Sequence, residues 1–112
     1  MNKSDRIEVL RSNRMIAEAR AAGRTIIGRE FQNGDRVISN GVGVLPTPEG
    51  LTGTIVARWP GEQSAVLADG SFGWTGQLEW NYSVRWDNRD WNNPGNKPVG
   101  ENNEALELEE QS

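Results

Sequence analysis

Cysteine and histidine are both absent from the 112-residue chain. The first absence excludes disulfides, zinc–thiolate sites and thiol nucleophiles, and it fits a reducing compartment. The second removes the one side chain whose unperturbed pKa lies near neutrality, and with it the Ser/His/Asp triad and the usual imidazole ligands of zinc. Long hydrophobic runs are missing too. No stretch approaches the roughly 18 apolar residues needed to span a bilayer, and no basic region is followed by an apolar secretory segment. These gaps predict a cytoplasmic binding protein with no metal site, no cofactor and no membrane partner, rather than an enzyme. An enzyme would need a pair of carboxylates as general acid and base, with Asp87, Asp90 and Glu79 as candidates, and no spacing marks them as such a pair.

The length suits one domain with one core. Hydrophobic residues make up 35% of the chain, mean hydropathy is −0.70, and 13 glycines with five prolines assign much of it to turns. Five tryptophans compensate, since each can bury roughly 150–250 Å². Net charge is −4, unevenly spread: residues 1–30 hold Lys3 and six arginines against four acids, so the remainder is strongly acidic. A basic arm on an acidic body is the implied arrangement.

Residues 1–30 read as an N-terminal helix and linker. From about Ser4 to Ala22 there is no Gly or Pro, and Gly23 suits a left-handed position just past a helix end. Ser4 or Asp5 can cap the start; with Asp5 as cap, Glu8 completes a capping box. Ile7, Leu10, Ala17 and Ala21 share one face, interrupted by Arg14, while Val9 and Ile16 lie nearly opposite. Such a helix either docks by a thin stripe or keeps an apolar face for a partner.

From Thr25 onward, β-branched and aromatic runs are separated by Asn-Gly, Asp-Gly and Pro-rich turns, the pattern of short antiparallel strands. Arg36–Ser39 and Thr54–Trp59 read as strands. Ala65–Ala68 and Ser71–Trp74 flank Asp69-Gly70, predicting a two-residue type I′ hairpin. Tyr82, Val84 and Trp86 alternate with Ser83, Arg85 and Asp87, so this strand should cross the core. Asn88 to Asn103, dense in Asn, Pro and Gly, reads as a long loop. Leu106 and Leu108, alternating with glutamates, predict a short closing strand, and residues 110–112 a frayed tail.

The succession Gly34-Asp35-Arg36-Val37, Gly53-Thr54-Ile55-Val56, Tyr82-Ser83-Val84-Arg85-Trp86-Asp87-Asn88 and Leu106-Glu107-Leu108 resembles SH3-like barrel domains of the KOW and Mind-bomb type over about residues 31–109. The resemblance implies a mainly β fold: a small SH3-like antiparallel β-barrel at 31–109 carrying the N-terminal α-helix. The same text is similar to the barrel domain of the nitrile hydratase β subunit. That enzyme's cysteine motif belongs to a partner subunit, and this chain has no long helical region to wrap one.

Function follows less directly. Among the aromatics, Tyr82 and Trp86 read as core, whereas Trp59, Trp80 and Trp91 fall at strand ends or in loops and are candidates for a recognition platform. With Val9 and Ile16 of the helix they form the partner-binding set of a protein–protein interaction adaptor, or of an accessory component of an assembly such as phages and mobile elements encode. Homo-oligomers fit the same features. A nucleic-acid-binding barrel is the alternative, with Arg6, Arg11, Arg14, Arg20, Arg24 and Arg29 on phosphates and aromatics on bases. A carbohydrate surface is a third reading, built from Asp87, Asn88, Asp90, Trp91, Asn92 and Asn93. The same residues fold turns by capping their own backbone, and they miss the spacing of a calcium loop. Gly41-Val42-Gly43 lacks the third glycine and the helix of a dinucleotide site and reads as a loop.

Overall fold

The computed structural model describes residues 1–43 and 45–109; the predicted tail, 110–112, lies outside them. One helix, α1 (Lys3–Ala21), precedes six strands: β1 (Ile26–Ile27), β2 (Arg36–Ser39), β3 (Thr52–Val66), β4 (Phe72–Trp86), β5 (Val99–Asn102) and β6 (Leu106–Leu108). The sheet order is β1-β4-β3-β2-β6, with β5 also on β4. All pairings are antiparallel except β1 with β4. No pairing among the described residues joins β6 back to β1 or β5, so the sheet is a curled half-barrel rather than a closed cylinder.

The mainly β fold with its N-terminal helix is as expected, and β2 and β6 occupy the predicted residues. What the sequence divides into short strands is one long hairpin, β3 and β4, each 15 residues. Pro60 hides this continuity, because proline has no N–H for a sheet. Here β2 reaches only Thr52–Thr54 of β3, so no strand lies outside Pro60 to need that donor. Two register shifts bend the hairpin. Near the body, Val56 is an extra residue in β3 between the pairs Ile55–Val84 and Ala57–Ser83. Further out, Thr75–Gln77 oppose Gln63 alone, and Gly76 takes φ +80° there. A bulge of this kind bends the strand and raises its twist.

The core consists of Ile16, Phe31, Val37, Ile55, Trp80, Tyr82, Val84, Trp86 and Leu106. Tyr82 fastens the linker into it, its hydroxyl donating to the Arg29 carbonyl (2.6 Å) and accepting from the Phe31 N–H (2.7 Å). Burial pushes the Tyr82 phenol up to about 12. Asn103 works alongside, donating to the Trp80 carbonyl and accepting from the Arg29 N–H. A Cβ at Gly28 would meet that amide at 2.5 Å, so this position takes only glycine.

The helix ends as its glycine predicts. Gly23 has φ +72°, and the Gly23 and Arg24 N–H groups close onto the Arg20 and Ala19 carbonyls in a Schellman arrangement. Its start differs. Asn2 is the cap, accepting from the Asp5 N–H. Asp5 turns away to the sheet, where its carboxylate takes two hydrogen bonds from Arg85 (2.7 and 2.9 Å). Glu8 accepts from Ser83 on the same face instead of boxing the cap. The docked face is therefore Asp5, Ser12, Ile16 and Ala19, with Glu8 and Val9 half-buried. Ile7 and Leu10 stay exposed. Small residues at 12 and 19 let the backbone approach closely, and the ion pair decides the rotation, outweighing the thin stripe on the opposite side.

Candidate functional site

The hairpin changes character beyond the Gly76 bulge. Only three pairs remain, Ser64–Trp74, Ala65–Gly73 and Val66–Phe72, before the turn. Because β-strand side chains alternate, Ser64, Val66, Phe72 and Trp74 share one face of this ribbon and Ala65, Leu67 and Gly73 the other. On the second face Leu67 lies over Gly73, where an added Cβ would meet it at 2.8 Å. The first face has no cover: Val66 is 66% exposed, Phe72 79% and Trp74 71%. From Gln63 to Gln77 the only charged residue is Asp69, in a chain that is 25% charged. A radius of gyration of 14.6 Å, against about 13 Å for a globule of this length, fits an arm standing off the body.

The apex is not the predicted type I′ turn. The Leu67 N–H bonds the Ser71 carbonyl and the Gly70 N–H the Leu67 carbonyl, enclosing three residues of which only Gly70 has positive φ. This is the three-residue hairpin with a glycine bulge. The Asp69 carboxylate accepts from the Ser71 N–H and hydroxyl, which lower its pKa and fix the turn. At the base, the Arg24 guanidinium donates to the Gly76 carbonyl (2.9 Å) and the Gln77 amide to the Thr25 carbonyl (3.2 Å). The linker thus holds the bend, and the arm is aimed rather than loose.

The residues singled out from sequence are scattered. Trp80 is 4% exposed, inside the sheet, with the Arg58 guanidinium 4.7 Å above its ring, and so is no surface platform. Ile16 is 5% exposed and part of the core, which removes it from the accessible partner surface, whereas Val9 is half-buried. Trp59 is half-buried, leaning toward Gly100, and lines a groove at the helix end with Met15, Ala19, Glu62 and Leu78. Trp91 is 40% exposed on a separate 3-10 turn, Arg89–Trp91. Trp74 and Phe72, the most exposed aromatics, were legible only as strand residues. The signal for them was alternation across Gly73 inside an almost uncharged run.

All six arginines of the proposed nucleic-acid arm are exposed. Arg20, Arg24 and Arg29 approach Glu30, Glu62 and Glu107 at 3.9–4.0 Å. Arg6, Arg11 and Arg14 have no ion-pair partner among the described residues. In the Asn-rich stretch the polar groups are spent on the fold: Asn92 brackets the Trp86 backbone, donating to its carbonyl and accepting from its N–H, and Asn88 caps the 3-10 turn. Asp87 is paired with Arg36 (2.5 Å), whose hydrogen bond, with that of Thr52, holds the carboxyl down to about 2. Glu79 accepts from Asn102 and lines a different cavity from Asp87.

One further carboxyl is buried, Glu101, 3% exposed and accepting from the Thr47 hydroxyl at 2.7 Å. Burial pushes it up, opposed by Thr47 and by the Trp86 indole, whose N–H finds no hydrogen bond of ordinary length. Among the described residues no cluster of three or more acidic side chains could hold a metal ion, and no helix is long and apolar enough to cross a membrane. No protein-family model matches the chain, and no curated protein or solved structure matches it either.

Proposed function

We propose that this chain is a non-catalytic binding module, an adaptor or accessory component, whose engaging surface is the hairpin arm. One observation carries the reading: Val66, Phe72 and Trp74 stand exposed on one face of a ribbon whose sole charge is Asp69. Soluble proteins seldom expose a contiguous aromatic face without using it, and Trp is enriched at binding hot spots. The half-barrel serves as the base that orients the arm, and its design is that of an incompletely closed SH3-like barrel. Phe72 and Trp74 replace Trp80, Val9 and Ile16 as contact residues, while Trp59 and Trp91 lie outside the arm.

The test compares tagged wild-type chain with Trp74→Ser in pull-downs from native lysate, with and without nuclease. Stoichiometric capture that survives nuclease and disappears in Trp74→Ser supports the module. Capture equal in both chains, or lost on nuclease treatment, overturns it. Loss on nuclease shifts the assignment to Arg6, Arg11 and Arg14, the exposed helix arginines free of ion pairs, and that binding must weaken steeply with salt.

A further inference from the structure

We infer that the arm's occupant is a second copy of this chain, the two arms packing face to face about a two-fold axis. The inference rests on the binding-module reading and names its partner. Three observations favour self-association over other occupants.

Charge is the first. From Gln63 to Gln77 there is no basic residue, so nothing draws this face to an anionic lipid surface, a nucleic acid or an acidic peptide. An apex of Asp69, Gly70 and Ser71 opposes insertion into a bilayer, since a carboxylate would enter first. The same neutrality removes like-charge repulsion when two arms meet, although each chain carries a net −4.

Shape is the second. Val66 and Phe72 face each other across the ribbon, with Trp74 one step toward the base and only Ser64 opposite it. An isologous two-fold contact sets the Trp74 of each copy over the smaller Val66 and Ser64 of the other, large against small. The opposite ribbon face offers no such row, because Leu67 folds over Gly73.

Area is the third. The exposed parts of Phe72 and Trp74 amount to about 300 Å² per copy. With Val66 and the flanking polar residues, two copies bury on the order of 1,000 Å², the lower bound for a specific interface. A reversible dimer with a dissociation constant of about 10–100 µM is expected from so small a patch.

The absence of native cysteine makes the test clean. Sedimentation velocity on the full chain from about 1 to 200 µM should pass from one chain mass to two. Phe72→Ser and Trp74→Ser should each weaken the dimer by about thirtyfold or more, with unchanged circular dichroism. A single Val66→Cys should cross-link into dimers with a short bis-maleimide at these concentrations, whereas Ala65→Cys, on the other face, should not. A chain monomeric up to 200 µM overturns self-pairing. If its lysate capture still depends on Trp74, the binding-module reading survives with a different partner; if that dependence is also gone, both fail. A dimer insensitive to both serine variants, or cross-linked equally through residue 65, places the interface elsewhere and overturns the inference.

Discussion

The β3–β4 hairpin has two halves made of the same backbone and treated differently. From Thr52 to Glu62 and Leu78 to Trp86 it is flanked by β2, β1 and β5, overlaid by the helix, and contributes Ile55, Trp80, Tyr82, Val84 and Trp86 to the core. Beyond the bulge at Thr75–Gln77 it pairs only with itself and turns Val66, Phe72 and Trp74 to water. Both halves are aromatic. What separates them is company: a tryptophan is core where a sheet curls around it and surface where two strands continue alone. An isolated two-stranded hairpin is marginal in water, so the arm draws its order from its base, where Arg24 and the Gln77 amide tie it to the linker.

The sharpest way to break this contrast is to truncate one aromatic in each half. Trp86→Ala, at a fully buried position, should cost about 3–5 kcal/mol in urea unfolding, whereas Phe72→Ser should change stability by less than about 0.5 kcal/mol. A comparable loss from Phe72→Ser would mean that the arm belongs to the core. Next in size is the helix tether. Arg85→Ala leaves the buried Asp5 carboxylate without its partner and should cost about 2 kcal/mol, measured by the same unfolding curves. The corresponding change at the arm's base, Arg24→Ala, should leave the unfolding midpoint nearly unmoved and instead speed amide hydrogen exchange from Ser64 to Trp74.

How much of this was legible follows the same division. The body's strands showed themselves through period-two alternation, introduced by glycine in Gly34-Asp35-Arg36-Val37 and Gly53-Thr54-Ile55-Val56 and clear without one from Tyr82 to Trp86. β5, within the Asn-rich stretch, did not, because Gly100, Glu101 and Asn102 disfavour strands, a single Val99 makes no pattern, and the segment is recruited by pairing to β4. The helix docked by a face whose hydrophobicity is low, since Asp5 and Glu8 find partners 80 and 75 residues away that no local pattern can announce. Exposure was the least legible property. Trp80 and Trp74 both lie in strand text, and the bulge between them, with Gly76 at positive φ, separates the interior half of the hairpin from the arm.

Smaller effects sharpen the comparison through pH. The Glu101 carboxyl has its pKa raised in the folded chain, so its favourable contribution is complete below the ordinary carboxylate value and is lost as pH rises through the folded one. Glu101→Gln should therefore gain stability relative to wild type as pH rises above the ordinary carboxylate value, seen as a rising difference in thermal midpoint, with no effect on the arm. Asp87 has the opposite sign. Its carboxyl is depressed to about 2, so the Arg36 pair stabilises above the ordinary range and the gain is lost as pH falls toward 2. Half-exposed, the pair is worth under about 1 kcal/mol; Asp87→Asn should show that small loss at pH 7 and a smaller one at pH 2.

The polar docking face of the helix also has a consequence for synthesis. Residues 5 to 19 are made long before Ser83 and Arg85, the groups that receive Asp5 and Glu8. At about 5–20 residues per second the helix waits roughly 4–16 s for its seat to be translated. An oily underside would be a hazard during that interval, open to any other unfinished chain nearby. Asp5, Glu8 and Ser12 give the newborn segment a surface that water tolerates until the ribosome delivers its counterpart.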